Sequence, residues 1–284
     1  MIQEWLDSYQ PSNRSETEQV LREVMQSVAL AGLHRGKFFE KAAFYGGTAL
    51  RIFHGLDRFS EDLDFTLMTE QSDFDLTPYL DSVQREFDSL GLPVAVQIKA
   101  KSKRSKVDSA FLKSDTLLGE ILLQRNIQHS LTGPLPSIKI KIEVDKEPPT
   151  DLLTEQMLLL RPFSLYIRCL TKPHLFAGKV HALLFRDWGQ RVKGRDWYDL
   201  EWFVQRNVHL STEQVRLRSQ KSGDWENSGM SMDVIRDLLL AKAESLAMDR
   251  VIEDVVRFVK NPTKLEIWSP PYFKQLIQRI QPHE

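Results

Sequence analysis

The segment Ile138–Asp145, reading Ile-Lys-Ile-Lys-Ile-Glu-Val-Asp, narrows the folds open to this chain more than any other. Its alternation puts Ile138, Ile140, Ile142 and Val144 on one face and Lys139, Lys141, Glu143 and Asp145 on the other. That is the period of a half-buried strand. The run stops at Glu147-Pro148-Pro149-Thr150, because proline cannot donate to a ladder. A second alternating stretch over 62–67 predicts another strand. Val94, Val96 and Ile98 mark a third, and short strands are expected at 117–123 and 164–168. Between them, Val20, Leu21, Val24, Met25, Val28 and Leu33 recur at helical spacing behind a Ser15-Glu16-Thr17-Glu18 capping box. The spacing predicts a helix over 16–33 with one buried stripe. Ala49, Leu50, Ile52 and Phe53 read as a short helix, and Thr77-Pro78 opens another. Beyond the prolines the pattern turns helical. Thr171 can cap a helix carrying Leu175, Phe176, Val180, Leu183 and Leu184, a second covers 196–206, and 232–260 holds one or two more. The fold class is therefore α+β, with a mixed-sheet head over 1–150 and a mainly α-helical C-terminal lobe over 151–284.

Composition removes several alternatives. The 284 residues suffice for one large domain or two small ones. No apolar run approaches the roughly 18 residues a membrane span requires. The first residues, Met1-Ile2-Gln3-Glu4-Trp5, lack the basic and apolar regions of a secretory signal, so a cytoplasmic protein is expected. The one cysteine, Cys169, cannot form an internal disulfide, and no Cys/His cluster has zinc spacing. The 38 Lys and Arg nearly balance 39 Asp and Glu. Lys99, Lys101, Lys103, Arg104 and Lys106 break that balance locally, as five cations within eight residues. Such a run is either a solvated loop or a contact for a polyanion.

The chemistry concentrates in Gly46-Gly47-Thr48 and Asp62-Leu63-Asp64, with thirteen residues between Thr48 and Asp62. A Gly-Gly-Thr turn entering a helix lets the backbone approach a phosphate and aims amides and a hydroxyl at it. Two carboxylates at i and i+2 of a strand share a face, about 6–7 Å apart at Cα, and can share divalent cations that triphosphate oxygens also hold. A third carboxylate on a neighbouring strand would complete a two-metal site, and both Glu143 and Asp145 stand on the polar face of the best strand. The implied reaction is transfer to a hydroxyl with loss of pyrophosphate.

These segments resemble the DNA polymerase beta-like nucleotidyltransferase superfamily, whose signature is Gly-Gly-[Ser/Thr] followed by Asp-x-Asp between apolar residues. More narrowly, Tyr45-Gly46-Gly47-Thr48-Ala49-Leu50 with Arg58-Phe59-Ser60-Glu61-Asp62-Leu63-Asp64-Phe65 is similar to the first motif of the AbiEii/AbiGii-type nucleotidyltransferase toxins. Lys179-Val180-His181-Ala182-Leu183-Leu184 and Arg195-Asp196-Trp197-Tyr198-Asp199-Leu200 resemble that family's later motifs. The resemblance covers about 44–203. It implies a polymerase beta-like head whose helical lobe completes the active-site cleft. Gly46, Gly47 and Thr48 would bind the nucleoside triphosphate, and Asp62 and Asp64 would hold magnesium as two Mg2+ ions. Lys179 would reach a phosphate, Asp196 matches the family's acidic residue at the site, and Arg58 and Ser60 could touch phosphate. It further implies an acceptor hydroxyl on RNA, the tRNA 3′ end, or on protein, and growth inhibition restrained by a cognate antitoxin. The basic run 99–106 tilts the choice towards RNA.

Other readings accompany these residues. Lys179 could snorkel from a buried stem. Asp196 and Asp199 could pair with Arg191, Lys193 and Arg195 as surface charges. His181 reads as a packing or hydrogen-bonding residue, and Trp188, Trp197, Tyr198 and Trp202 read as core. The rival functions are a catalytically silent triphosphate-binding module and a hydrolase.

Overall fold

The computed structural model describes residues 2–11, 13–98, 106–114, 138–186, 193–226 and 229–283. The expected strand at 117–123, all of the basic run except Lys106, and Arg191 and Trp188 lie outside these residues. The chain divides into two compact units. The first comprises 1–55, 59–148 and 156–169, and the second comprises 56–58, 149–155 and 170–284.

In the first unit, α1 (Ile2–Asp7) and α2 (Arg14–Arg35) precede β1 (Ala42–Tyr45), α3 (Gly46–His54), β2 (Leu63–Leu67) and α4 (Thr77–Ser89). Then come β3 (Ala95–Ile98), β4 (Val107–Ser114) and β5 (Ile138–Asp145), and later β6 (Thr154–Leu159) and β7 (Leu165–Leu170). The seven strands form one mixed sheet in the order β3-β4-β5-β2-β1-β7-β6. β1 runs antiparallel to β2 and parallel to β7, while β5 runs parallel to β2 and antiparallel to β4. The division expected at 150 therefore falls differently, because β6 and β7 join the sheet and carry 156–169 into the first unit.

One sheet face is fully buried through Leu63, Phe65, Ala110, Leu112, Ile138, Ile140, Ile142 and Val144. Phe38 packs edge-on against Phe65 at 5.0 Å, and Phe44 meets Phe65 at 5.1 Å. The helix expected over 16–33 begins earlier, because Asn13 rather than Ser15 is its cap, its side chain accepting from Glu16 N at 2.9 Å. In place of one buried stripe, every residue from 20 to 33 is buried, including Arg22, Glu23 and Gln26. Arg51 pairs with Glu23 at 2.8 Å, and Tyr9 donates to the same carboxylate at 2.8 Å, which compensates its burial.

The second unit is built from α5 (Lys172–Phe185), α6 (Gly194–Gln205), α7 (Thr212–Ser222), α8 (Met232–Glu244), α9 (Met248–Val256) and α10 (Pro270–Gln278). Ser211, Ser231 and Ser269 cap three of these helices through their side chains. Phe176 of α5 stacks on Phe203 of α6 at 4.5 Å, and Trp197 meets Phe273 at 5.0 Å. Trp197, Tyr198 and Trp202 are all buried, as core residues should be. Among the described residues no helix is long and apolar enough to cross a membrane.

Helices α2 and α4 touch at Gly32, where a Cβ would stand 2.6 Å from the Val83 Cα and 3.1 Å from the Ser82 carbonyl oxygen. Alanine in a helix normally stabilises relative to glycine. Here backbone meets backbone, so overpacking reverses the sign. Gly32→Ala is expected to lose about 1–3 kcal/mol, read as a lower urea midpoint at unchanged m-value.

Candidate active site

Two groups of polar residues stand out, one in each unit. In the first, β1 passes directly into α3 at Gly46, whose φ is +83°. Only glycine takes that conformation without strain. Space imposes the same choice, since a Cβ on Gly46 would collide with the Asp64 carboxylate. Tyr45, at the cap position of α3, makes no side-chain capping bond. The helix start therefore presents its first-turn amides and the positive end of its dipole without that cap.

Asp64 lies on the opposite side of β2 from the buried Leu63 and Phe65, while Asp62 immediately precedes the strand, which starts one residue later than expected; both carboxylates are half-buried. Tyr45 is the Cα partner of Asp64 on β1, and Glu143 is its partner on β5. Asp145 instead faces Thr66, and its Oδ1 accepts from Glu147 N at 3.0 Å. Register thus sets Glu143, not Asp145, beside Asp64. Lys141 Nζ lies 2.6 Å from Glu143 Oε1.

Thr48 is fully buried, and its hydroxyl donates to the Asp62 carbonyl oxygen at 2.5 Å. The expected outward-pointing hydroxyl is thus engaged with the main chain of the Asp-x-Asp segment. Ser60 is half-buried, and its carbonyl accepts from Gln26 Nε2 at 3.1 Å. Among the described residues no three His, Cys, Asp or Glu side chains are gathered as a metal cage. The donor set itself is all carboxylate oxygen. It fits magnesium, which takes few protein ligands and completes its shell from substrate phosphates and water.

In the second unit, four charged side chains form a closed network. Asp199 is fully buried and accepts two parallel bonds from Arg58, Nε at 2.7 Å and Nη2 at 2.6 Å. Lys179 Nζ lies 2.7 Å from Asp199 and 3.0 Å from Asp196. Two cations face two anions, so the buried charge balances. Burial disfavours the Lys179 ammonium, but Asp196 and Asp199 outweigh it and raise its pKa. Burial likewise works against the Asp196 carboxylate, yet Lys179 chiefly, with Arg186 and Arg58, holds it below the ordinary range. Beside this network Tyr198 donates to Asp57 at 2.7 Å, and Lys264 pairs with the same carboxylate.

Several sequence expectations change here. Arg58 does not stand ready for a phosphate, because the residue is 1% exposed and two of its guanidinium nitrogens are committed to Asp199. Asp196 and Asp199 are not surface charges paired along their own helix. Arg195 turns to Asp254 and lies 4.3 Å over the Phe258 ring instead. Asp57 had no signal in the sequence, since both of its partners are distant along the chain. His181 is a hydrogen-bonding residue, 3.1 Å from Ser222 Oγ, and burial with Arg218 nearby pushes its pKa down to about 4.

Asp199→Ala would leave Arg58 and Lys179 buried beside an empty place. It is expected to cost about 3–5 kcal/mol in urea unfolding. Because the Asp196 pKa is depressed by folding, its contribution is present above the unfolded value of about 3.9 and lost as pH falls through the folded value. The stability difference between wild type and Asp196→Asn should be constant from pH 5 to 9 and shrink below about pH 4; denaturation series at fixed pH measure it.

Comparison with known proteins adds the family. No curated protein matches the sequence. Among solved structures, a candidate nucleotidyltransferase from H. pylori is similar at 17% identity, with 89% of this chain and 91% of that one covered and a TM-score of 0.47. JHP933 from Helicobacter pylori follows at 16% identity, 89% and 90% coverage and TM-score 0.47. MenT4, the nucleotidyltransferase toxin Rv2826c of Mycobacterium tuberculosis H37Rv, matches at 14% identity, 93% and 84% coverage and TM-score 0.47. The family model for the nucleotidyl transferase AbiEii toxin of Type IV toxin–antitoxin systems matches residues 28–279. That is most of the chain and includes every residue of both polar groups, and the chain belongs to this family of nucleotidyltransferase toxins.

Proposed function

We propose that the protein transfers a nucleoside monophosphate from a nucleoside triphosphate to a hydroxyl at the 3′ end of tRNA, and that this Mg2+-dependent transfer is its toxic activity. The observation that carries the reading is the register around Asp64. Asp62 stands just before β2 and Asp64 within it, Glu143 is the partner of Asp64 on β5, and the glycine start of α3 closes against the Asp64 carboxylate.

The acceptor oxygen attacks the α-phosphorus, its bond to phosphorus forms, the bond to the bridging oxygen of the β-phosphate breaks, and pyrophosphate leaves. The first-turn amides of Gly47 and Thr48 would receive triphosphate oxygens, favoured by the dipole of α3. Asp62, Asp64 and Glu143 would hold divalent metal, which when bound neutralises charge on the transferring and leaving phosphates. Glu143 would otherwise take the proton of the attacking hydroxyl. Lys179, kept charged by its two carboxylates, is assigned to phosphate charge, with Asp196 orienting its ammonium. Arg58 belongs to the support of Lys179 through Asp199. A Type IV toxin implies a cognate antitoxin. Triphosphates and tRNA are cytoplasmic, and so is the proposed reaction.

The test incubates purified protein with Mg2+ and each of four α-32P-labelled nucleoside triphosphates, against total tRNA and a protein extract. Wild type should label tRNA, and Asp64→Ala should bring the label to background while retaining the wild-type circular dichroism. Label on protein would reassign the acceptor, and label released as free nucleotide would make the protein a hydrolase. Triphosphate binding without transfer would leave a binding module.

A further inference from the structure

The outer face of the sheet continues beyond the carboxylates. On β4 and β5, Lys113 is the partner of Lys139, Phe111 of Lys141, and Ser109 of Glu143. Residues two apart on a strand share a face. Lys139, Lys141 and Glu143 therefore form one file, and Lys113, Phe111 and Ser109 form the next. The alternate residues Ile138, Ile140, Ile142, Ala110 and Leu112 are fully buried, so both files lie on the side of the sheet that carries Asp64. On β3, Gln97 is the partner of Phe111. The Lys139 ammonium lies 3.9 Å from the centre of the Phe111 ring, and Lys141 holds Glu143 at 2.6 Å.

We propose that this face is the track of the acceptor. A single-stranded end of RNA lies across β4 and β5, with phosphates on Lys113, Lys139 and Lys141 and a base on Phe111, and its terminal hydroxyl reaches Glu143 and Asp64. The proposal rests on the RNA-acceptor reading above and names the surface that reading requires. Lys139 and Lys141 about 6.6–6.8 Å apart along β5, Lys113 in the adjacent file and an aromatic ring among them combine the two features of a single-strand site: backbone neutralisation and base stacking. A peptide acceptor would use the charge but not the ring. The contacts of Lys139 and Lys141 are both exchangeable. A phosphate can take Lys139 from the ring, which then receives a base. A phosphate can also draw Lys141 from Glu143, leaving that carboxylate to the incoming hydroxyl. In this scheme the acceptor uncovers the group that takes its proton.

The test is fluorescence anisotropy with total tRNA and with a 12-mer oligo(A) at several salt concentrations, using wild type, the double variant Lys113→Gln/Lys139→Gln, Phe111→Leu, and Lys274→Gln on α10 as a charge control. The double variant should lower the slope of log affinity against log salt by about 1.4 on the oligonucleotide, two contacts at about 0.7 each. Phe111→Leu should weaken binding about ten-fold or more at constant slope. Lys274→Gln should match wild type. Wild-type slope and affinity in the first two variants, with their circular dichroism intact, would overturn the track. So would parallel loss of triphosphate binding, which would give the face to the nucleotide. Absence of RNA binding by wild type would also overturn it, while label transfer to protein in the earlier experiment would leave nucleotidyl transfer itself standing.

Discussion

The carboxylate of Asp64 lies where a side chain of Gly46 would be, and the rest of the first unit's site follows from that approach. Antiparallel pairing of β1 and β2 sets Tyr45 opposite Asp64. The next residue must therefore turn the chain away without a Cβ, and a φ of +83° at Gly46 does so. Helix α3 then begins against a carboxylate. A helix N-terminus attracts anions, so the arrangement is favourable with Asp64 alone. A triphosphate brought to the same helix end, as proposed, would meet Asp62 and Asp64 as like charges and be repelled by them. A cation between them would turn that repulsion into attraction, which gives the proposed pairing of carboxylates with a phosphate-receiving turn its physical reason.

The second unit solves a different electrostatic problem. Burying a lysine normally depresses its pKa, whereas Lys179 is held charged by Asp196 and Asp199. Asp199 also accepts the two parallel bonds from Arg58, whose own charge works against the Lys179 ammonium. An apolar replacement of such a network often stabilises a protein, so the network is poorly explained by stability alone. It is well explained by the need for an ammonium of fixed position and fixed charge. Every member has its partners, which is the condition for a buried polar network to fix one arrangement.

What was legible in the sequence was local. β5 was plain because its lysines and carboxylates alternate with branched apolar residues, and the glycine turn and Asp-x-Asp were plain for the same reason. β4 was hidden because its pattern is partly inverted. Asp108 points inward, where its carboxylate accepts from Leu76 N at 3.0 Å, while Phe111 points outward. β6 was hidden because Met157, Leu158, Leu159 and Leu160 are continuous apolar residues, and Leu158 and Leu160 are exposed in the structure. The helix cap was misplaced because Asn13 and Ser15 are both good caps, and only the helix geometry chooses between them. The choice of Glu143 over Asp145 depends on the alignment of β5 with β2, which pairs Asp64 with Glu143 and Thr66 with Asp145; within β5 their shared face left both eligible. The partner of Arg58 lies 141 positions away, beyond the reach of any spacing rule.

The thirteen-residue gap between Thr48 and Asp62 now has a physical reading. Its ends are fixed by one hydrogen bond, from the Thr48 hydroxyl to the Asp62 carbonyl. The hydroxyl gives that carbonyl a donor, and serine or threonine can supply one. The interior of the gap is under no such constraint. It completes α3, turns at Gly55 with φ of +74°, and contributes Leu56, Asp57 and Arg58 to the second unit. Asp57 and Arg58 there bind Tyr198 and Asp199 on α6. One loop thus ends at the Asp62–Asp64 carboxylates and carries, a few residues earlier, the guanidinium that pairs with Asp199. Asp57 and Arg58 are accounted for by the second unit's ion network, and a phosphate contact is not required to explain Arg58.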